Sequence, residues 1–260
     1  MSKVKNIFKT ALMSTLIVFS INANAKSIVD LTYAFNKSTL HWPTANPFQL
    51  KKDFAGEAPG GYFYAINDFC TAEHVGTHMD APLHFAKNHI GVADVPLSKL
   101  VGNAIMIDVT NKTTNNSDYQ ITIEDFKQWE NQHGAIPSQS IILLNTGYNH
   151  YWGNQKKYLG TTLLGAQAIA KLHFPGLDPD AAKWLINSRN VKSIGIDTAS
   201  IDYGQSKKFL THQVLAAANV PFFENVANVS SLPANGFLVY ALPMKITGGT
   251  GAPVRIIAML

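Results

Sequence analysis

The sequence predicts a single mixed α/β domain, on three observations. Eight short apolar runs recur along residues 26–260, and several are apolar on both faces, as strands buried from both sides are. Amphipathic stretches with helix-cap signals fall between some of them, so strands outnumber helices and the alternation is imperfect. No Pro/Gly/Ser-rich linker, internal repeat or heptad run divides the 260 residues, of which 46% are hydrophobic and 15% charged. That composition suits one large buried core.

Residues 1–25 read differently. Lys3, Lys5 and Lys9 form a positive leader, Ala11 to Ile21 is mostly apolar, and Ala23-Asn24-Ala25 is a small-x-small cleavage site. This is the layout of a secretory signal peptide, with cleavage expected after Ala25 and a periplasmic or secreted product. The competing reading, a membrane anchor, needs roughly 20 apolar residues, and the run here is too short. No Cys follows it, which argues against a lipoprotein.

The strand-like segments are Ser27–Phe35, Tyr62–Phe69, Ala104–Thr110, Ser140–Thr146, Val191–Asp197, Val220–Val226, Gly236–Leu242 and Val254–Leu260. Thr122 to Gln132 predicts a helix, with a Thr cap and an acidic first turn. Asp178 to Asn187 predicts another, with Asp at the cap and Pro179 at the first helical position. Leu163–Leu172 and Thr211–Ala218 are shorter helix candidates.

Charge excludes some partners. The chain carries 21 Lys+Arg against 17 Asp+Glu, but three of the lysines lie in the leader, which has no acids. The remainder is therefore close to +1, with no basic stripe for nucleic acid. The one cysteine, Cys70, cannot form an intramolecular disulfide, and its apolar neighbours predict a buried thiol.

Residues 74–84 gather four potential metal ligands, His74, His78, Asp80 and His84. The i,i+4 spacing of His74 and His78 would suit a helix face. Gly76 and Pro82 oppose a helix interior, so a loop entering a strand is expected, with His78 and Asp80 projecting on one side. Imidazole with carboxylate suits Zn, Mn, Fe and related divalent ions, and so few protein ligands leave open positions for catalysis. The plain alternative is a set of polar loop histidines without metal. Downstream, His212 begins a predicted helix, and Glu224 lies inside the apolar run Pro221–Val226. A glutamate there is costly unless it binds metal or meets a cation such as Arg255.

The string His74-Val-Gly-Thr-His78-Met-Asp80-Ala-Pro-Leu-His84 resembles the signature of the cyclase-like metal hydrolases, which include bacterial kynurenine formamidase and isatin hydrolase. The resemblance extends through Phe174–Leu177, Gly195–Asp202, His212 to Glu224 and Gly251–Arg255, in that order. It implies the family's swivelling α/β architecture, usually a homodimer or homotetramer. It implies that His74, His78 and Asp80 bind a first Zn or Mn ion. His212 and Glu224 would complete a two-ion site in the formamidase branch, with Asp80 and Glu224 shared. His84 would be the general acid/base. Trp42, in His41-Trp42-Pro43-Thr44, falls where formamidases carry a substrate-contacting tryptophan.

These expectations point first to hydrolysis of a small aromatic amide, N-formylkynurenine or a relative. Lactam opening of the isatin type is the alternative among enzymes, and a periplasmic metal- or ligand-binding protein the alternative outside them. Gly248-Gly249-Thr250-Gly251 lacks the Gly-x4-Gly-Lys-Ser/Thr pattern and reads as a turn, and there is no Gly-x-Ser-x-Gly elbow for a serine hydrolase. Asp197 and Asp202, flanking an apolar strand end, are candidates either for supporting ligands or for capping. His41 is a candidate for the substrate mouth. The other histidines and tryptophans are read as structural.

Overall fold

A computed structural model describes residues 27–260. The expected leader and cleavage site lie outside the described residues. Among the described residues twelve strands form, β1 Ile28–Asp30, β2 Gln49–Ala58, β3 Tyr62–Cys70, β4 His78–Asp80, β5 Val101–Asp108 and β6 Gln120–Ile121 in the first half. The second half holds β7 Ile141–Asn145, β8 Gly176–Leu177, β9 Ser193–Ile196, β10 Phe222–Glu224, β11 Phe237–Pro243 and β12 Gly251–Met259.

Eight strands make one mixed sheet in the order β1-β12-β11-β5-β7-β9-β10-β4. The run β5-β7-β9-β10 is parallel and the remaining pairings are antiparallel. β4 pairs with β10 on one side and with the first residues of β12 on the other, so the sheet closes into a barrel. The mixed α/β class predicted from sequence is the one observed.

Alternation along β7 shows why its sequence is apolar on both faces. Ile141 and Leu143 join the cluster containing Met79, Phe223, Val239 and Ile256. Ile142 and Leu144 join a second cluster with Phe126, Leu185 and Leu215, which helices supply. Each face buries against its own layer, and burial of each such side chain is worth about 1.5–3 kcal/mol.

The helices follow their cap signals. Ile123–His133 begins with a capping box, Thr122 and Asp125 each satisfying the other's backbone N–H. Pro179–Trp184 is capped by Asp178, which accepts from Asp180 N and Ala181 N, and it runs on into one wide turn, Leu185–Arg189. Leu210–Ala217 matches the Thr211–Ala218 candidate. The Leu163–Leu172 candidate shrinks to Ala166–Ile169, because Gly165 takes a positive φ just before it and Leu172 turns inward to full burial. Among the described residues, no helix is long and apolar enough to cross a membrane.

One expectation holds here and one fails. Tyr62–Phe69 does form a strand, β3, but it pairs only with β2 in a separate hairpin, and every residue of β3 is exposed. Its place in the sheet is taken by the three residues of β4. Cys70, at the end of β3, is therefore exposed instead of buried. Aromatic and β-branched residues fixed the strand conformation there, but strand propensity carries no information about which sheet a strand joins.

Candidate metal centre

The cross-strand register of β4 builds the site. His78 and Asp80 project on one side, while Met79 between them is fully buried in the core. Glu224 of β10 stands directly opposite His78, which brings two residues 146 positions apart into one pair. On the other edge of β4, Gly251 pairs with Asp80. A Cβ at Gly251 would lie 2.5 Å from the His74 ring, so only glycine lets that imidazole approach. Gly76 adopts φ +59°, which breaks the helix that the His74–His78 spacing would otherwise allow.

Hydrogen bonds fix the ring orientations. His78 Nδ1 is 2.9 Å from the Gly76 carbonyl, so it is the N–H donor. His78 Nε2 is then left buried with no hydrogen-bond partner, 3.1 Å from Asp80 Oδ1 and 3.4 Å from Glu224 Oε2. His212 repeats the arrangement. Its Nδ1 donates to Asp202 Oδ2 at 2.6 Å, and its Nε2 lies 3.3 Å from Glu224 Oε1 and 3.7 Å from Asp80 Oδ2. His74 lies 2.7 Å from Asp80 Oδ1 by its Nδ1 and 3.0 Å from Thr250 Oγ1 by its Nε2. The Thr250 hydroxyl also meets the Glu73 carboxylate, and Thr250 N donates to it at 3.0 Å.

The electrostatics ask for positive charge. Burial alone would lower the His78 imidazole, but Asp80 and Glu224 outweigh it and raise it to about 10. His212 is likewise raised to about 10 against its burial, by Asp202, Glu224 and Asp80. Burial pushes the Asp80 carboxyl up, yet His74 and His78 hold it well below the usual range. The two buried carboxylates thus call for positive charge between them, and a divalent cation supplies it while leaving His78 and His212 neutral, each with its Nε2 lone pair free to coordinate. Two overlapping groups meet that geometry, His74-His78-Asp80 and Asp80-His212-Glu224, each with ligand atoms within 4.8 Å of one another. Asp80 belongs to both.

His84 stands apart from these groups. Its ring stacks on His74 at a centroid distance of 3.9 Å, and its Nε2 is 3.7 Å from Asp80 Oδ2. Burial, with His74 and His212 nearby, lowers it to about 4 despite Asp80, so the ring is neutral at pH 7. A cavity of about 270 Å³ opens over these groups. Trp42, Phe85 and Phe209 form aromatic walls, and Trp42 meets Phe209 edge-on at 6.1 Å. Ser200 also lines the cavity, and its buried hydroxyl has no partner.

All seven residues singled out in the sequence, Trp42, His74, His78, Asp80, His84, His212 and Glu224, line this one cavity. Glu224 does not meet Arg255, which pairs with Asp30 at the surface. His41 does not line the cavity, and its Nδ1 lies 2.9 Å from the Trp42 carbonyl. Of the two undecided aspartates, Asp202 supports His212, whereas Asp197 is buried among donors from Thr146 and Asn149. Sequence reasoning missed Glu73, Thr250, Ser200, Phe85 and Phe209. Thr250 sits in the turn read only for its glycines, and nothing in its spacing to His74 announces the contact.

A closed mixed sheet that delivers imidazoles and shared carboxylates to an aromatic cavity, with a neutral histidine beside them, defines a metal-dependent hydrolase. The family described as putative cyclase matches residues 29–203, and the chain belongs to that family. It is 29% identical to the isatin hydrolase of Roseibium aggregatum over 238 residues, covering 84% of this chain and 88% of that one. It is 26% identical to the kynurenine formamidase of Bacillus mycoides over 227 residues, covering 87% and 94%. Among solved structures, isatin hydrolase A from Ralstonia solanacearum superposes with a TM-score of 0.81 at 29% identity, covering 90% of this chain and 92% of that one. Isatin hydrolase A from Labrenzia aggregata, bound to benzyl benzoate, also gives 0.81 at 29% identity, covering 92% and 96%.

Proposed function

We infer that this chain hydrolyses the C–N bond of a small aromatic lactam of the isatin type, opening the ring to an amino-aryl carboxylate. The observation that carries the reading is the likeness to isatin hydrolases, 29% identical in sequence against 26% for the formamidase above. The lactam thus takes precedence over the formamide expected from the sequence. N-formylkynurenine is kept as second substrate because Glu224 and His212 complete the formamidase-type second group.

His74, His78 and Asp80 would hold one divalent ion, and His212 and Glu224, sharing Asp80, a second. Mixed imidazole and carboxylate donors favour Zn or Mn. Such an ion, when bound, polarises a carbonyl and lowers the pKa of water towards about 7. The chain's own residues do the rest. Trp42, Phe85 and Phe209 pack the flat substrate and exclude bulk water. Neutral His84 accepts the proton of the attacking water. As the carbonyl C–N bond breaks, His84 returns that proton to the leaving nitrogen, so the histidine is unchanged over the cycle. A binding protein without turnover has no use for a neutral, non-ligating histidine at this position. The leader pattern in residues 1–25 supports a reaction outside the cytoplasm.

The test is metal analysis of the purified protein followed by assays on isatin, N-formylkynurenine and simple aryl formamides. Ring opening of isatin that stops on chelation and returns with Zn or Mn supports the reading. Turnover of formamides alone would reverse the order of substrates. Protein that neither binds metal nor turns over any of the three would remove the reading altogether.

A further inference from the structure

Of the three imidazoles at the metal centre, His74 is turned the opposite way to its neighbours. His78 and His212 each donate from Nδ1, to the Gly76 carbonyl and to Asp202, and turn Nε2 towards the carboxylates. His74 instead points Nδ1 at Asp80 and Nε2 at the Thr250 hydroxyl. That hydroxyl has a single proton to give. Glu73 Oε2 lies 2.5 Å from it, the length of a bond from a hydroxyl to a carboxylate, which can only accept. The proton therefore goes to Glu73, and the hydroxyl must accept one from His74 Nε2. Once an ion supplies the positive charge that Asp80 demands, a neutral His74 keeps that Nε2 proton, and its lone pair falls on Nδ1. Glu73 Oε2 and His74 Nε2 are 4.0 Å apart, too far for a direct bond, so the hydroxyl is the link between them.

We propose that Glu73 and Thr250 are positioning residues that fix His74 as the one histidine of the centre to meet its ion through Nδ1. The assignment rests on the proposed function, because it concerns how that ion is held. The segment Gly248-Gly249-Thr250-Gly251 is shaped around this chain of bonds. A Cβ at Gly249 would lie 2.9 Å from Glu73 Oε1, and one at Gly251 would lie 2.5 Å from the His74 ring. The two glycines thus leave room for the acid on one side of Thr250 and for the imidazole on the other. Thr250 is also tied at both of its backbone groups. Its N donates to Glu73 Oε2 at 3.0 Å, and its carbonyl accepts from Ala81 N, the residue after Asp80, at 2.9 Å. Neither Glu73 nor Thr250 lines the cavity, so both act through the ring they hold. His84 stacks on that same ring at 3.9 Å, so the pair also sets where the proposed proton carrier lies.

The test uses the full chain loaded with zinc, its histidine rings isotope-labelled. Long-range proton–nitrogen NMR correlations distinguish a ring bound through Nδ1 from one bound through Nε2. His74 is expected to show a bound Nδ1 and a protonated Nε2, the reverse of His78 and His212. Thr250→Val keeps the shape of the side chain without its hydroxyl. It is expected to lose the His74 pattern and to weaken zinc binding about 10–100-fold, read by competition with a chelator. Thr250→Ser, which keeps the hydroxyl, is expected to restore both the pattern and the affinity. Circular dichroism reports whether each variant keeps its fold. A wild-type His74 bound through Nε2 overturns the proposal and leaves the metal site standing. A Thr250→Val protein with the wild-type ring pattern and zinc affinity does the same. A wild-type chain that binds no zinc overturns the proposal together with the proposed function.

Discussion

Asp202 grips His212 through two of its atoms: Oδ2 lies 2.6 Å from the ring Nδ1 and 3.1 Å from the backbone N. The aspartate therefore sets both the tautomer and the aim of Nε2 towards Glu224. Asp202→Asn leaves the size of the side chain unchanged but loses the charge-assisted bond. Supporting partners of this kind are worth 10–100-fold in metal affinity. We expect a loss of that order at the His212–Glu224 group, read by competition with a chelator of known affinity, with circular dichroism unchanged.

Substitution of His84 and of His78 tests the proposed division between proton carrier and ligand. His84→Ala is expected to lower turnover by about 10²–10⁴-fold while metal content, measured by mass spectrometry, stays at the wild-type value. His78→Ala is expected to lose metal and turnover together. Loss of metal in His84→Ala would make that residue a ligand and remove its assignment as acid/base.

Under the proposed function the aromatic walls act on binding more than on chemistry. Phe209→Ala removes the ring that faces Trp42 and is expected to raise KM about tenfold, the equivalent of burying one aromatic side chain less well. A change confined to kcat would place Phe209 in the chemical step instead.

The acid limb of stability has a named contributor. The Arg189 guanidinium, bonded to Glu130 at 2.6 and 2.7 Å, holds that carboxyl below its usual range, against a smaller opposing effect of burial. A carboxylate lowered in the fold adds stability above its unfolded pKa, about 4.3. That stability is lost as pH falls through the lower, folded value. Glu130→Gln should cost about 1–2 kcal/mol at pH 7 and show less loss than the wild type as urea midpoints are followed from pH 5 downward.

Gly76 joins backbone strain to the site. Its φ of +59° disfavours any side chain, and a Cβ would meet the Phe35 ring at 2.8 Å. Gly76→Ala should lower stability by about 2–3 kcal/mol. It should also weaken metal binding, because the Gly76 carbonyl orients His78 and accepts from Asn225 Nδ2 at 2.8 Å. Thermal unfolding with and without added metal separates the two effects.

The site was more legible in the sequence than the sheet was. Ligand chemistry clusters in sequence when one tight loop and a short strand carry it, so His74, His78, Asp80 and His84 stood out. Glu224 was legible for a different reason, as a carboxylate stranded in an apolar run. Thr250 and Glu73 were not, because a hydroxyl and an acid 177 residues apart show no pattern until β12 lies against β4. At β3 the strand was legible, but strand-forming residues said nothing of its partners. At β4 the short strand with His78 and Asp80 on one side was legible, but not that it closes the barrel between β10 and β12.

Closure by β4 has a kinetic meaning as well. The strand must find β10 and β12, each more than 140 residues further along, before Asp80, Glu224 and the Gly251 gap that admits His74 exist in one place. Such distant pairings come late and slowly in folding. A nascent or half-folded chain thus owns the proposed ligands but not the cage, and under the proposed function an ion is held only where the barrel is finally sealed. The metal supply of that compartment, as much as the donor set, then decides which ion the protein carries.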